Sequence, residues 1–140
     1  MGRPRYQNQQ VKINLSNEDL TAIIGGGDVV LLVKKAEEIG HALSEGGLKT
    51  NQIRNIYGTV RQIHSLWSND NEATTQTSHR QIQLLKPKIA YQAARNREVK
   101  PLSDVLTPAI DLVGDNRESF QNFVDFFEAI LAYHMEAGGR

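Results

Sequence analysis

The chain has 140 residues, no cysteine, and 16 basic against 16 acidic residues, for a formal net charge of zero. That length suits one hydrophobic core rather than two, the lack of thiols excludes disulfides and thiolate metal sites, and the neutral total withholds the basic excess that usually announces a nucleic-acid binder. The run Val29 to Val33 is too short to span a bilayer, and Met1 to Gln10 carries two arginines but no apolar stretch, so neither membrane nor secretion is expected and the cytoplasm is the expected location.

Residues 1–12 are polar, contain Pro4 and offer no apolar period; they read as a flexible arm before a single helical-bundle domain of residues 13–140. Ser16 and Asp19 have capping-box spacing ahead of Leu20, Ile23 and Ile24, and Gly25-Gly26-Gly27 ends that short helix. The triplet follows a helical pattern instead of a strand, and no Lys-Ser or Lys-Thr pair follows it. It therefore reads as an interhelical hinge and not a phosphate loop. Asp28 is placed to cap a second helix, in which Leu32, Ala36, Ile39 and Leu43 alternate four- and three-residue spacings until Gly46-Gly47. Lys34, Lys35, Glu37 and Glu38 fall mostly on its wet face.

A third helix starts after Thr50, with Ile53, Ile56, Val60, Ile63 and Trp67 in one stripe. Ser68 to His79 is rich in small polar residues without apolar period and predicts a long polar loop. Helical character returns from Arg80 to Arg97, with Ile82, Leu85 and Ile89 on one side and Pro87 expected to kink or break the helix near Lys86. Leu102, Val105, Leu106, Ala109, Ile110 and Val113 make a further helix. Asp115 and Glu118 are a second capping-box pair, opening a helix with Phe120, Phe123, Val124, Phe127, Ile130 and Leu131 on one face. No segment sustains period-two alternation, so the fold class is all-α: a compact bundle of five to six helices with a long polar loop.

Catalytic chemistry is poorly supplied. His41, His64, His79 and His134 stand on different elements with no ligand-like spacing, and His64 and His134 lie beside apolar stripes, where a hydrogen-bonded core or boundary histidine is the ordinary reading. Glu37 and Glu38 are adjacent and splayed. Asp125 and Glu128 share a face, but Glu128 sits among aromatics, where a buried carboxylate capping or pairing with an arginine is expected. No catalytic residue, metal, cofactor, membrane or small-molecule substrate is expected.

The neutral total hides an uneven distribution. Gly46 to Arg97 holds eight basic residues (Lys49, Arg54, Arg61, Arg80, Lys86, Lys88, Arg95, Arg97) against two acidic ones, whereas Ile13 to Glu45 has six acidic against two basic and Glu98 to Glu136 eight acidic against two basic. At about 100° per residue, Arg54 and Arg61 project from nearly the same side of the third helix, and Arg80, Lys88, Tyr91 and Arg95 share an arc of roughly 80° on the next. Between Arg80 and Arg97 there is no acidic residue, so pairing within the helix cannot neutralise the stripe. Phosphates would neutralise it without any base being read. An acidic protein surface, including that of another copy, would do so too.

Three segments sharpen this reading: Gln52-Ile53-Arg54-Asn55-Ile56-Tyr57; Leu85-Lys86-Pro87-Lys88-Ile89-Ala90-Tyr91 continuing to Arg95; and Phe123 to His134 followed by Gly138-Gly139. In order and spacing they resemble the small subunit of the type III-A CRISPR effector, the Csm complex, over about Leu48 to Gly139. The resemblance implies a non-catalytic helical bundle present in several copies along a guide-RNA-bearing ribonucleoprotein of antiviral defence, touching target RNA, guide RNA and neighbouring subunits by backbone contacts while base pairing reads the sequence. Carried over, its basic positions fall on Arg54, Arg61, Lys86, Lys88 and Arg95, with Arg80, Arg97 and Lys49 completing the basic set, Tyr57 and Tyr91 in support, and Glu128 orienting a basic side chain. Two alternatives remain: the small subunit of the related type III-B complex, which should lack LKPK and the EAILAYH ending, and a helical protein–protein adaptor with no direct RNA contact.

Overall fold

A computed structural model describes residues 12–67 and 72–138, and among them every regular element is helical. In chain order the α-helices are α1 (Asn17–Leu20), α2 (Val29–Glu45), α3 (Thr50–Leu66), α4 (Glu72–Arg95), α5 (Lys100–Val113) and α6 (Arg117–Glu136). This is the all-α bundle expected from the apolar spacings. Of the expected arm only Lys12, which is exposed, falls within the described residues.

Local chemistry explains the helix ends. Ser16 Oγ accepts from the Asp19 N–H at 3.0 Å and the Asp19 carboxylate accepts from the Ser16 N–H at 3.2 Å, closing the capping box of α1. One π-helical turn, Thr21–Gly25, follows directly. Gly27 then takes a φ of 67°, a left-handed conformation that costs glycine little, and Asp28 caps α2 by accepting from the Leu31 N–H at 3.1 Å.

α2 and α6 run parallel and pack closely. Asn122 Nδ2 donates to the Ile24 carbonyl near their N-terminal ends, and His41 and Glu136 meet near their C-terminal ends. Gly40 sets the separation: a Cβ there would lie 2.7 Å from the His134 nitrogen and 2.9 Å from the Ile130 carbonyl oxygen. The core continues along α6, where Phe120 stacks on Trp67 with ring centroids 5.5 Å apart and Phe123 and Phe127 extend the aromatic column. His134 is fully buried in this core and donates from Nε2 to the Leu48 carbonyl at 2.6 Å.

Several expectations change. Lys35 is not on the wet face: it is buried, its Nζ donating to the Asn14 carbonyl at 3.0 Å and lying 3.6 Å from the carboxylates of Asp19 and Glu38. The polar loop expected over 68–79 is helical from Glu72 onward; residues 68–71 lie outside the described set. Tertiary contacts account for this, because Trp67 Nε1 donates to Thr75 Oγ1 at 3.3 Å, Ser78 is buried, and His79 Nδ1 donates to the Gly114 carbonyl at 2.8 Å. Pro87 does not break α4, which continues through it with one ladder donor missing. α3 begins at Thr50 itself, where Gln52 Oε1 accepts from the Lys49 N–H at 2.9 Å. The cap of α6 is Asn116 and not Asp115, its side chain accepting from the Ser119 N–H at 2.9 Å.

Candidate nucleic-acid interface

α3 and α4 are antiparallel, in a register marked by two polar contacts. Lys88 Nζ donates to Thr59 Oγ1 at 2.8 Å, and Gln52 Nε2 donates to Glu98 Oε2 at 2.8 Å just past the end of α4. Ile53, Ile56, Val60 and Ile63 of α3 and Ile82, Leu85 and Ile89 of α4 are buried, which turns the polar faces of both helices outward. The register puts Arg54 at the level of Arg95 and Arg61 at the level of Lys88.

The outer face of α4 carries Arg80, Leu84, Lys88, Tyr91 and Arg95 within an arc of roughly 80°, and all five are exposed. Between this face and α3 runs an open groove of about 400 Å³, walled by Thr59 and Ile63 on one side and by Thr77, Arg80, Leu84 and Lys88 on the other. The Arg95 guanidinium lies over the Tyr91 ring, 5.8 Å from its centroid. Leu84, exposed to 53 % in the middle of the basic stripe, was not singled out by the sequence pattern. Its angular position between Arg80 and Lys88 is the signal that places it on this face.

Arg54 and Arg61 are also exposed, on the flank of α3 that turns toward α6. There the Arg61 Nη1 approaches His64 Nδ1 at 3.5 Å, His64 Nε2 donates to Gln121 Oε1 at 2.8 Å, and Gln121 Nε2 donates to Asp125 Oδ1 at 3.0 Å. Tyr57 packs edge-on against Phe127 with centroids 5.3 Å apart. Burial, and then the negative charge of the Glu128 carboxylate, push the Tyr57 hydroxyl above its usual value. Glu128 is thus exposed, with its charge felt by Tyr57, and not buried as its aromatic neighbours suggested.

The remaining basic residues are placed differently. Lys86 points away from the stripe and pairs with Asp111 of α5 at 2.6 Å. Lys49 and Arg97 are exposed at the corner where α3 begins and α4 has ended. At that corner the Gln52 amide, helped by the Lys49 charge, holds the Glu98 carboxyl below its usual range. Among the described residues none of Arg54, Arg61, Arg80, Lys88 and Arg95 joins an ion pair with a carboxylate; the pairs present involve Lys35, His41, Lys86 and Lys100.

Elsewhere, Glu37, His41 and Glu136 bring their ligand atoms within 4.8 Å of one another at the exposed C-terminal ends of α2 and α6. A histidine and two glutamates are the right types for a divalent cation; Glu37 and His41 stand four residues apart on α2, and Glu136, distant along the chain, could not be joined to them by a spacing argument. The hydrogen bond from His41 Nε2 to Glu136 at 2.9 Å accounts for the arrangement without an ion.

No described helix is long and apolar enough to cross a membrane. Nothing among curated proteins or solved structures matches the chain. The family model described as Csm2 Type III-A matches residues 27–140, a span that takes in α2 to α6 and every basic residue of the α3/α4 surface. The chain therefore belongs to the Csm2 family, the small subunits of type III-A CRISPR effectors.

Proposed function

We propose that the chain is a non-catalytic subunit of a cytoplasmic ribonucleoprotein, one that holds target RNA and guide RNA by their backbones on the exposed flanks of α3 and α4 and packs against other subunits and further copies of itself. The observation that carries this reading is the set of exposed cations on α3 and α4, Arg54, Arg61, Arg80, Lys88 and Arg95, left without a carboxylate partner among the described residues. Cations kept apart from carboxylates cost self-repulsion in the free protein, and phosphates relieve it while releasing condensed counterions. Since guide pairing reads sequence in an RNA-guided effector, backbone affinity is all that this subunit needs to provide. Lys49 and Arg97 extend the surface at its corner. Lys86, neutralised by Asp111, contributes less. Exposed Val29, Val30 and Val33 at the start of α2 supply an apolar face for subunit packing on a different part of the molecule.

The test uses the assembled effector. Replacing the subunit by Arg80→Glu/Lys88→Glu is expected to lower the target RNA retained at moderate salt by about tenfold or more, since each lost phosphate contact also forfeits its counterion release. Lys86→Glu on the same helix is expected to have a much smaller effect. Equal retention by all three complexes would refute the RNA reading and favour a protein-docking role for the stripe.

A further inference from the structure

We infer that the outer face of α4 receives unpaired RNA, with a nucleobase stacked on Tyr91; this rests on the RNA reading above and narrows it to a single-stranded partner. A surface that only neutralises phosphates has no use for exposed apolar groups between its cations. Here two stand in the middle of the stripe: Leu84 at 53 % and Tyr91 at 63 % exposure, interleaved with Arg80, Lys88 and Arg95. From Arg80 to Arg95 the face runs for roughly 22 Å at the α-helical rise of about 1.5 Å per residue, long enough for several nucleotides.

Tyr91 is prepared for this role. The Arg95 guanidinium over the ring holds the side chain without covering most of it, and places a positive charge beside any base laid against the opposite face. Interleaved aromatic and basic residues are how proteins bind single strands without sequence preference, since every base offers a π-face and every nucleotide a phosphate. In a duplex those faces are hidden in the stack, so a duplex engages the cations alone. Leu84, one helical turn from Lys88, offers a second, weaker apolar contact. Although it also borders the α3/α4 groove, it remains half exposed.

The experiment compares the purified full chain binding to an oligouridylate and to an abasic oligoribophosphate of the same length, which presents the same phosphates without bases. Wild type is expected to favour the strand with bases by about 5- to 150-fold, the range for one stacked base. Tyr91→Leu should bring that ratio close to one while leaving the salt dependence unchanged, and Tyr91→Phe should preserve it, since the hydroxyl is not required. Tyr91 is exposed, so its substitution leaves the core intact, and circular dichroism will report helicity. If both strands bind equally well to wild type with the expected salt dependence, the stacking inference is overturned and the phosphate reading stands. If neither strand binds, both are overturned for the free chain.

Discussion

Gly40→Ala is the most informative single change to the fold. A methyl group at this position would sit 2.7 Å from the His134 backbone nitrogen, 2.7 Å from Tyr133 Cβ and 2.9 Å from the Ile130 carbonyl oxygen. Two of these are backbone atoms of α6, so no side-chain rotation relieves the clash, and α2 must move out by about 0.7 Å to reach ordinary van der Waals distance. A gap of that size forfeits a quarter to a half of the dispersion energy of the contacts it opens. Overpacking of this kind costs about 1–3 kcal/mol, and the helix propensity gained by alanine returns up to about 1 kcal/mol. The expected net loss is about 1–2 kcal/mol, seen as a lower denaturation midpoint with unchanged slope. Gly58→Ala is the control: Gly58 also sits within a helix, but an added Cβ there meets nothing within 4 Å, so propensity alone predicts a gain of up to about 1 kcal/mol. If Gly40→Ala were as stable as Gly58→Ala, the close approach of α2 and α6 would be wrong.

Further consequences follow from the same packing. His134→Phe keeps a planar ring, somewhat larger, but strands the buried Leu48 carbonyl, and is expected to cost about 1–3 kcal/mol in urea denaturation; an unchanged midpoint would show that this hydrogen bond contributes nothing. The Ser16 backbone N–H, and then the Lys35 charge, draw the Asp19 carboxyl below its ordinary 3.8, so its contribution is present above that value and lost as pH falls through the lower, folded one. Asp19→Asn should therefore be less stable than wild type at pH 7 and converge with it near pH 2; a constant offset at both would exclude the ionised cap as the cause. Finally, purified chain is expected to show no metal-stimulated RNA cleavage. Cleavage abolished by Asp125→Ala with Glu128→Ala would overturn the non-catalytic reading.

Most of the helices are legible from apolar spacing alone, because burying a stripe of Ile53, Ile56, Val60 and Ile63, or of Phe120, Phe123 and Phe127, allows little besides an amphipathic helix. What escaped was decided by neighbours distant along the chain. The first two turns of α4 are polar enough to read as loop, and they are helical because Trp67 and the α5–α6 turn supply partners for Thr75 and His79. Lys35 is buried because Asn14, Asp19 and Glu38 converge on its ammonium. Asp115 and Asn116 are equally good caps by type, so only the chain path past Gly114 chooses between them. In the candidate interface, the angular grouping of Arg80, Lys88, Tyr91 and Arg95 was visible from residue spacing. The neutralisation of Lys86 by Asp111 depended on where α5 packs.

The proposed role requires the unpaired cations of α3 and α4 to meet RNA phosphates. The most direct test is binding of unstructured single-stranded RNA over a salt series by wild type and by Arg54→Glu/Arg95→Glu, residues that stand at the same level of the antiparallel pair. For single strands log K falls with log salt at about 0.7 per phosphate neutralised, so removing two cations should flatten the slope by about 1.4 and weaken binding throughout, with helicity unchanged. Parallel salt dependences with equal affinities would contradict that role and turn the basic surface into a site for an acidic protein.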